Sequence, residues 1–167
     1  TGEDAGRGFY DYADPPYFYI EHDLDEDGVL TVTLSREERL NAFNDDMFAE
    51  LNRLLSDVNA DDVACVVFEG AGDRAFSAGA DVTGFTTAAP TDLMRSDDVF
   101  QTVYEFPRPT VAKIDGFCLG GGFELALACD VRLATEDARL GTPEINLGIM
   151  PGGGATQRLV RLVGEMR

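Results

Sequence analysis

Two glutamates lie close to glycine-rich turns, and their types and spacing could do chemistry. Glu124 comes two positions after three adjacent glycines at 120–122, and Glu144 lies twenty positions later, behind Pro143. Glycines at a strand-to-helix junction let the backbone approach a ligand, and the first N–H groups of the helix have no internal partner. Such groups stabilise negative charge on the oxygen of a polarised carbonyl. With two carboxylates beside it, such a site is typical of proton transfer at carbon next to a carbonyl.

A second turn of small residues lies upstream, in the segment 72–85. It follows 63–70, whose sequence VACVVFEG predicts a buried strand. Residues 76–81 are predicted to form a short turn that opens a helix at Asp81 or just after it. We expect the N–H of Ala78 to face Gly121, because two backbone donors from separate strand–turn–helix units complete an oxyanion hole.

The two carboxylates must differ in protonation if one is to accept a proton and the other to give one. Glu124 lies in the first turn of its predicted helix, where the helix dipole favours the ionised form. The sequence leaves open which glutamate is the acid and which the base, and the two can titrate as one coupled unit. Taken singly, each could be an ordinary acid at a helix start or in a loop; together with both glycine turns they favour catalysis.

The elements that must position these residues alternate between strands and helices. A hairpin is predicted over 17–36 with its turn at 26–28, and Asn44 is predicted to cap a helix. The apolar face of that helix consists of Met47, Leu51, Leu54, Leu55 and Val58. The later predicted elements are a strand over 63–69, a helix over 91–104, a strand over 110–114, a helix over 121–129, a strand over 130–134, a loop over 141–154 and a helix from Ala155. This alternation predicts an α/β fold with a parallel sheet built from ββα units.

The composition limits the classes of function. The chain has 167 residues, enough for one domain with a sizeable core. It carries 31 acidic and 13 basic residues, a net charge of −18, and Lys113 is its only lysine. Such a field repels nucleic acid and anionic membranes, so neither is an expected partner. We interpret the acid as a solvated surface; adaptation to a high-salt cytoplasm, where screening removes self-repulsion, is the sharper alternative.

Three cysteines and one histidine limit nucleophilic and metal chemistry. Cys65, Cys118 and Cys129 lie in apolar segments and are odd in number, which predicts buried free thiols in a reducing, cytoplasmic compartment. His22 lies in an acidic stretch without a partner pattern, so we expect a surface side chain, no catalytic cysteine and no metal site. The sequence shows no signal peptide and no long uncharged apolar run.

Three consecutive motifs resemble signatures of the crotonase family, whose best-known members are enoyl-CoA hydratases. They are FSAGAD, GFCLGGGFELALACDVRLA and TPEINLGIMPGGGATQRLVRLVG, and the resemblance runs from about Tyr17 to the last residue. It implies the crotonase fold, a spiral of repeated ββα units. It also implies that the N–H groups of Ala78 and Gly121 hold a thioester oxygen and that Glu124 and Glu144 are the acid/base pair.

The resemblance implies reversible addition of water to the double bond of a 2-enoyl-CoA thioester in fatty-acid oxidation. Another crotonase reaction, such as double-bond isomerisation, needs the same oxyanion hole but often only one carboxylate. A noncatalytic CoA-binding or assembly module is the alternative from a different class. Coenzyme A would be part of the substrate, no tightly bound cofactor is expected, and the family implies a homo-oligomer, either a trimer or a dimer of trimers.

The substrate contacts that the resemblance implies lie in three segments. SREERLNAF at 35–43 is similar to the family segment whose backbone lies along the adenine and whose basic residues approach phosphate, although Glu38 stands where relatives often carry lysine. The alternative for each arginine is a surface ion pair with a nearby acid. The predicted substrate-binding residues are Arg36, Arg39, Leu40, Ala78, Gly79, Ala80, Asp81 and Gly121.

Both ends of the chain suggest neighbouring segments. Residues 1–16 are predicted to be a linker or the tail of a preceding dehydrogenase domain, since GEDAGRGFYDY resembles the closing segment of 3-hydroxyacyl-CoA dehydrogenases, with Asp4 in place of a basic residue. A flexible linker with chance aromatics is the alternative. Residues 17–167 are predicted to be a crotonase-like core whose C-terminal helical region is missing. We expect a fragment of a fused dehydrogenase–hydratase from a halophile, with any NAD bound by the dehydrogenase part.

Overall fold

The computed structural model describes residues 16–81 and 99–165. The predicted N-terminal linker, the helix expected to open just after Asp81 and the start of the helix predicted from residue 91 lie outside the described residues. Over the rest of the chain, the predicted alternation of strands and helices is confirmed.

The larger of two sheets begins with the predicted hairpin. In spatial order its strands are β1 (Ile20–Leu24), β2 (Val29–Leu34), β3 (Cys65–Gly70), β5 (Thr110–Ile114) and β7 (Val131–Ala134). The first two strands pair antiparallel, and all other neighbours pair parallel. Because three of the four strand pairs are parallel, the predicted parallel sheet is confirmed. The antiparallel hairpin forms one edge of this sheet.

A smaller sheet of three short parallel strands is absent from the sequence prediction. Its order is β4 (Ala75–Ser77), β6 (Phe117–Leu119) and β8 (Arg139–Gly141). Sequence patterns place these residues in turns and loops, because three residues are too few to show a period. In each repeat, β3–β4, β5–β6 and β7–β8, the first strand joins the larger sheet and the second joins the smaller one, and a helix follows along the chain. This is the predicted spiral of ββα units.

Helix α1 (Asp45–Asp57) begins as predicted, since the Asn44 side chain accepts a hydrogen bond from the Met47 N–H. Its buried side contains the predicted apolar residues Met47, Leu51, Leu54 and Leu55, together with one unpredicted residue, Glu50. The Glu50 carboxylate accepts hydrogen bonds from the N–H groups of Phe18 at 2.8 Å, Tyr19 at 2.9 Å and Ile20 at 3.2 Å. A buried carboxylate is tolerated when it is hydrogen-bonded in this way, and Glu50 thereby fixes the start of β1 to α1.

Helix α3 (Gly121–Ala128) is buried on nearly every side. It contacts the smaller sheet and two further helices, α2 (Val99–Tyr104) and α4 (Ala155–Val163). The last of these begins at Ala155, as predicted. A helix that is apolar on all sides belongs in a core. Glu124 is the single ionisable side chain of α3, and the packing of this helix holds it in place.

All three cysteines are free thiols, and two of them are buried. Cys118 and Cys129 are buried free thiols, as predicted, and burial raises the pKa of each to about 12. Thiols with such pKa values stay protonated and inert near neutral pH. Cys65 is half-buried, and His22 is exposed and packs edge-on against Tyr17. Among the described helices, none has the length and apolar character needed to cross a membrane.

Candidate active site

Glu124 lies in the first turn of α3 with only 4% of its surface exposed. Its Oε1 accepts a hydrogen bond from the N–H of Ala155, the first residue of α4, at 3.1 Å. Burial raises the pKa of this carboxyl group and the charge of Glu144 raises it further, while hydrogen bonds from the Ala155 and Gly153 N–H groups and the charge of Arg158 oppose the shift. The net shift favours the protonated form, opposite to what the helix start alone suggests, because burial is the largest cause.

Glu144 reaches the same site from a short 3₁₀ helix, Pro143–Leu147. Its Oε1 lies beside Gly120, where an added Cβ would be 3.2 Å away. Its Oε2 is buried and accepts no hydrogen bond from the described residues. The carbonyl of the same Gly120 accepts a hydrogen bond from the Glu124 N–H at 2.9 Å, and the charge of Glu144 raises the pKa of Glu124, so the structure brings the two predicted carboxylates to one site. A buried carboxylate oxygen without a partner is rare in folded proteins and is typical of a functional site.

The glycines of the two predicted turns allow direct contact between β4, the turn after it and α3. A Cβ added to Gly122 would lie 2.6 Å from the Cβ of Ser77, and one added to Gly79 would lie 3.2 Å from the Gly121 nitrogen. Gly79 also has a φ of +98°, which glycine adopts without strain. Larger residues would hold the two turns apart.

The N–H of Ala78 is engaged elsewhere, so the prediction that it faces Gly121 is wrong. It donates to the carbonyl of Leu40 at 2.9 Å. The amide beside Gly121 is that of Ala80, whose nitrogen would lie 3.7 Å from a Cβ added to Gly121. Within the described residues, neither the Ala80 nor the Gly121 N–H donates to a protein acceptor.

A parallel bridge explains why Ala80 presents its amide. Phe43 pairs with Ala80 and makes both bonds of the bridge: its N–H donates to Gly79 at 2.8 Å, and its carbonyl accepts from Asp81 at 2.7 Å. The N–H of a paired strand residue that takes no part in such bonds points to the opposite edge. For Ala80 that edge faces the start of α3.

Of the predicted substrate contacts in the segment 35–43, Arg36 is the one that the structure engages elsewhere. Arg36 is held inside the fold, where its Nη1 donates to the Ala42 carbonyl at 2.6 Å and its Nη2 to the Asp81 carboxylate at 3.1 Å. Two predicted substrate-binding residues, Arg36 and Asp81, therefore bind each other. Leu40 has a φ of +52° and offers its carbonyl to Ala78, and Arg39 is exposed.

Sequence reasoning missed three residues around Glu124. The Ala155 N–H donates to its carboxylate, the Gly153 N–H lowers its pKa, and Arg158 donates to the Gly153 carbonyl at 2.6 Å. The glycines at 152–154 lie next to a helix start, as those at 120–122 do, so the same signal could have indicated the Ala155 amide. Arg158 gives no local signal, because only the fold brings α4 to α3.

The arrangement can hold negative charge near the amides of Ala80 and Gly121 and can move protons through two carboxylates. Within residues 16–81 and 99–165, no group of three histidine, cysteine, aspartate or glutamate side chains is placed to hold a metal ion.

A sequence profile described as enoyl-CoA hydratase/isomerase matches residues 25–167. The chain belongs to this family. The short-chain-enoyl-CoA hydratase of Clostridium acetobutylicum is 40% identical over 147 residues, which are 84% of this chain and 56% of the relative. The fatty acid oxidation complex subunit alpha of Shewanella frigidimarina is 40% identical over 149 residues, which are 83% of this chain and 21% of that subunit.

The fold of the family is confirmed by a solved relative. The enoyl-CoA hydratase of Bacillus anthracis superposes with a TM-score of 0.85 at 37% identity, over 90% of this chain and 60% of that one. The predicted crotonase-like α/β fold is therefore confirmed. The chain spans about half the length of the curated hydratases it matches.

Proposed function

We propose that the protein is an enoyl-CoA hydratase that adds water reversibly to the double bond of a 2-enoyl-CoA thioester in fatty-acid oxidation. The observation that carries this proposal is the meeting of Glu124 and Glu144 beside the amides of Ala80 and Gly121. The names of the Clostridium hydratase and of the fatty acid oxidation subunit support both the reaction and its setting.

The two amides stabilise the charge that forms during the reaction. In a 2-enoyl thioester the third carbon is electron-poor, and attack by water there moves negative charge onto the thioester oxygen. Donors from Ala80 and Gly121 would meet that oxygen without the need to reorganise. Loss of one such donor typically costs about 3–4 kcal/mol of transition-state stabilisation.

The two carboxylates supply and remove protons. Burial of Glu124 and the charge of Glu144 raise the pKa of the Glu124 carboxyl group, so Glu124 keeps its proton to a higher pH than an exposed glutamate would. A singly protonated pair can take a proton from the attacking water and give one to the second carbon of the substrate.

A steady-state assay of the intact protein with crotonyl-CoA, following loss of the conjugated enoyl absorbance, tests the proposal. We expect Glu124→Gln and Glu144→Gln each to fold and to lower kcat about a hundredfold or more. Glu136→Gln, which changes an exposed turn residue, is the matched control and should retain wild-type turnover.

The same variants separate the alternatives. If the protein is an isomerase, wild type would shift the double bond of a 3-enoyl thioester faster than it hydrates crotonyl-CoA, and one of the two glutamate variants would keep its rate. A noncatalytic binding module would bind crotonyl-CoA but turn over neither substrate.

The cellular setting belongs to the proposal as well. We infer that the enzyme acts in the cytoplasm without a tightly bound cofactor, that coenzyme A enters with the substrate, and that NAD would serve a dehydrogenase part of a fused protein.

A homo-oligomer, either a trimer or a dimer of trimers, is supported by the exposed apolar side chains Val160, Leu162 and Val163 on α4. Size-exclusion chromatography with light scattering on the intact protein tests the assembly.

A further inference from the structure

The side chain of Arg36 binds two segments of the protein at once. Its guanidinium donates to the carbonyl of Ala42 and to the carboxylate of Asp81, and it lies 5.6 Å from the centre of the Tyr19 ring. The side chains of Arg36 and Asp81 are only 12% and 17% exposed. A guanidinium so placed already has charged and polar partners inside the fold, so it is poorly suited to bind a substrate phosphate.

The two groups that Arg36 holds flank the bridge that orients the Ala80 amide. Ala42 precedes Phe43 and Asp81 follows Ala80, and Phe43 and Ala80 are the bridged pair. The Arg36 guanidinium therefore connects Ala42, beside Phe43, to Asp81, beside Ala80. Movement of one segment along the other would break a bond to Arg36 as well as the bonds of the bridge.

The segment that carries Ala42 is itself fixed in place. The Asn41 side chain accepts a hydrogen bond from the Arg36 N–H at 3.0 Å and donates to the carbonyls of Ala71 and Ala75 at 2.9 and 2.8 Å. Asn41 is 1% exposed and has a φ of +54°. The guanidinium thus connects Asp81 to a segment that the buried Asn41 side chain bonds to the rest of the fold.

We propose that Arg36, through its ion pair with Asp81, is a positioning residue that sets the direction of the Ala80 N–H toward the thioester oxygen. This inference rests on the proposed function. It replaces the role of phosphate ligand that the family resemblance implies for Arg36. An oxyanion donor must be placed within a fraction of an ångström of its working geometry, and a 1 Å error costs about a hundredfold in rate.

Amide hydrogen exchange in the intact, resting protein tests the clamp without any need for activity. The Phe43 and Asp81 amides form the bridge, so both should exchange about tenfold faster or more in Arg36→Gln and in Asp81→Asn. Arg108→Gln is the matched control, because Arg108 also donates to a carbonyl, that of Ala60 at 2.7 Å, and to an aspartate, Asp61 at 3.0 Å. The control should leave both exchange rates unchanged.

Kinetics of the same variants separate positioning from phosphate binding. We expect Arg36→Gln to lower kcat by about tenfold to a hundredfold and to change KM by less than about threefold, equally with crotonyl-CoA and with crotonyl-pantetheine, which lacks the nucleotide and its phosphates. Arg36→Lys should recover only part of kcat, because an ammonium cannot reproduce the planar, two-pronged contact.

Two results would overturn the inference. One is unchanged exchange at Phe43 and Asp81 in Arg36→Gln; the other is a rise in KM for crotonyl-CoA alone, with kcat unchanged. If Arg36→Gln does not fold, Arg36→Lys and Asp81→Asn carry both measurements. If the wild-type protein turns over no enoyl thioester, the proposed function fails, while the exchange measurement still decides whether Arg36 fixes the bridge.

Discussion

The carboxyl group of Glu124 is harder to ionise in the folded chain than in the unfolded chain, because burial raises its pKa. Its contribution to stability is therefore fully present below the ordinary carboxyl pKa and is lost as the pH rises through the raised value. We expect Glu124→Gln to be more stable than wild type at pH 7, since glutamine cannot ionise and keeps an oxygen for the Ala155 N–H. Urea denaturation at pH 7 and pH 4 measures the effect, which should shrink at pH 4.

The exposed turn residue Glu136 provides the control for this titration. Glu136→Gln should change the urea midpoint little at either pH, because its carboxyl group is in water before and after unfolding. A lower stability of Glu124→Gln than of wild type at pH 7 would mean that the hydrogen bonds to the ionised carboxylate outweigh burial, contrary to the direction of the pKa shift.

At the scale of single residues, the sequence predicts which residue types lie at the site better than it predicts where their backbone N–H groups point. Glu124 and Glu144 could be found because glycine turns and carboxylates are visible in the local sequence. The choice between the amides of Ala78 and Ala80 depends on which of them pairs with Phe43. That pairing joins segments far apart in sequence, so the residues 76–81 alone could not reveal it.

The contact between β4 and α3 depends on a missing side chain at Gly122. An added Cβ would lie 2.6 Å from the Cβ and the carbonyl oxygen of Ser77, closer than packed atoms approach. We expect Gly122→Ala to lower the free energy of unfolding by about 1–3 kcal/mol, the usual cost of overpacking. Gly141→Ala is the control, because nothing lies within 4 Å of its added Cβ. Equal denaturation midpoints for the two variants would contradict the close contact.

The attachment of β1 to α1 depends on Glu50. Three backbone N–H groups lose their acceptor in Glu50→Ala, and one of them belongs to the buried Ile20. We expect a loss of about 3 kcal/mol in the free energy of unfolding, since hydrogen bonds to charged groups contribute more than neutral ones. Asp57→Ala, at the exposed end of the same helix, should change it by less than about 0.5 kcal/mol. Similar losses in the free energy of unfolding of both variants would contradict the role of Glu50, because they would trace the effect to the helix and not to the bonds with β1.

Element length decides what the sequence can predict of this fold. Helix α1 has thirteen residues, a capping side chain and an apolar stripe, so its start and four of its five expected apolar residues are predicted correctly, while Val58 lies just beyond its end. Strands β4, β6 and β8 have three residues each and form only through parallel pairing with one another. Glu50 lies in the apolar stripe of α1, and the sequence could not predict its burial. The N–H groups that bind its carboxylate belong to residues 18–20, at the start of β1.

The charge of the whole molecule exceeds what its ion pairs can balance. The net charge is −18, and the described residues contain three ion pairs, one of which joins Arg108 to the almost fully exposed Asp61. Residues 21–27 alone place five acidic side chains on one exposed hairpin. Repulsion among such groups opposes the compact state, and it is screened when the Debye length falls from about 10 Å at 0.1 M salt to about 3 Å at 1 M.

We therefore expect the thermal midpoint of the protein to rise between 0.1 and 2 M KCl. Relief of about 2 kcal/mol of repulsion would raise it by roughly 4–8 °C for a domain of this size. A variant with Asp23→Lys and Glu26→Lys removes repulsion directly, so it should melt higher than wild type at 0.1 M KCl and gain less from added salt. Salt also strengthens apolar burial, and this effect would raise the thermal midpoints of the variant and of wild type equally. Parallel salt curves for the two proteins would assign the stabilisation to burial, and a midpoint independent of salt would contradict the expectation of a protein adapted to a high-salt cytoplasm.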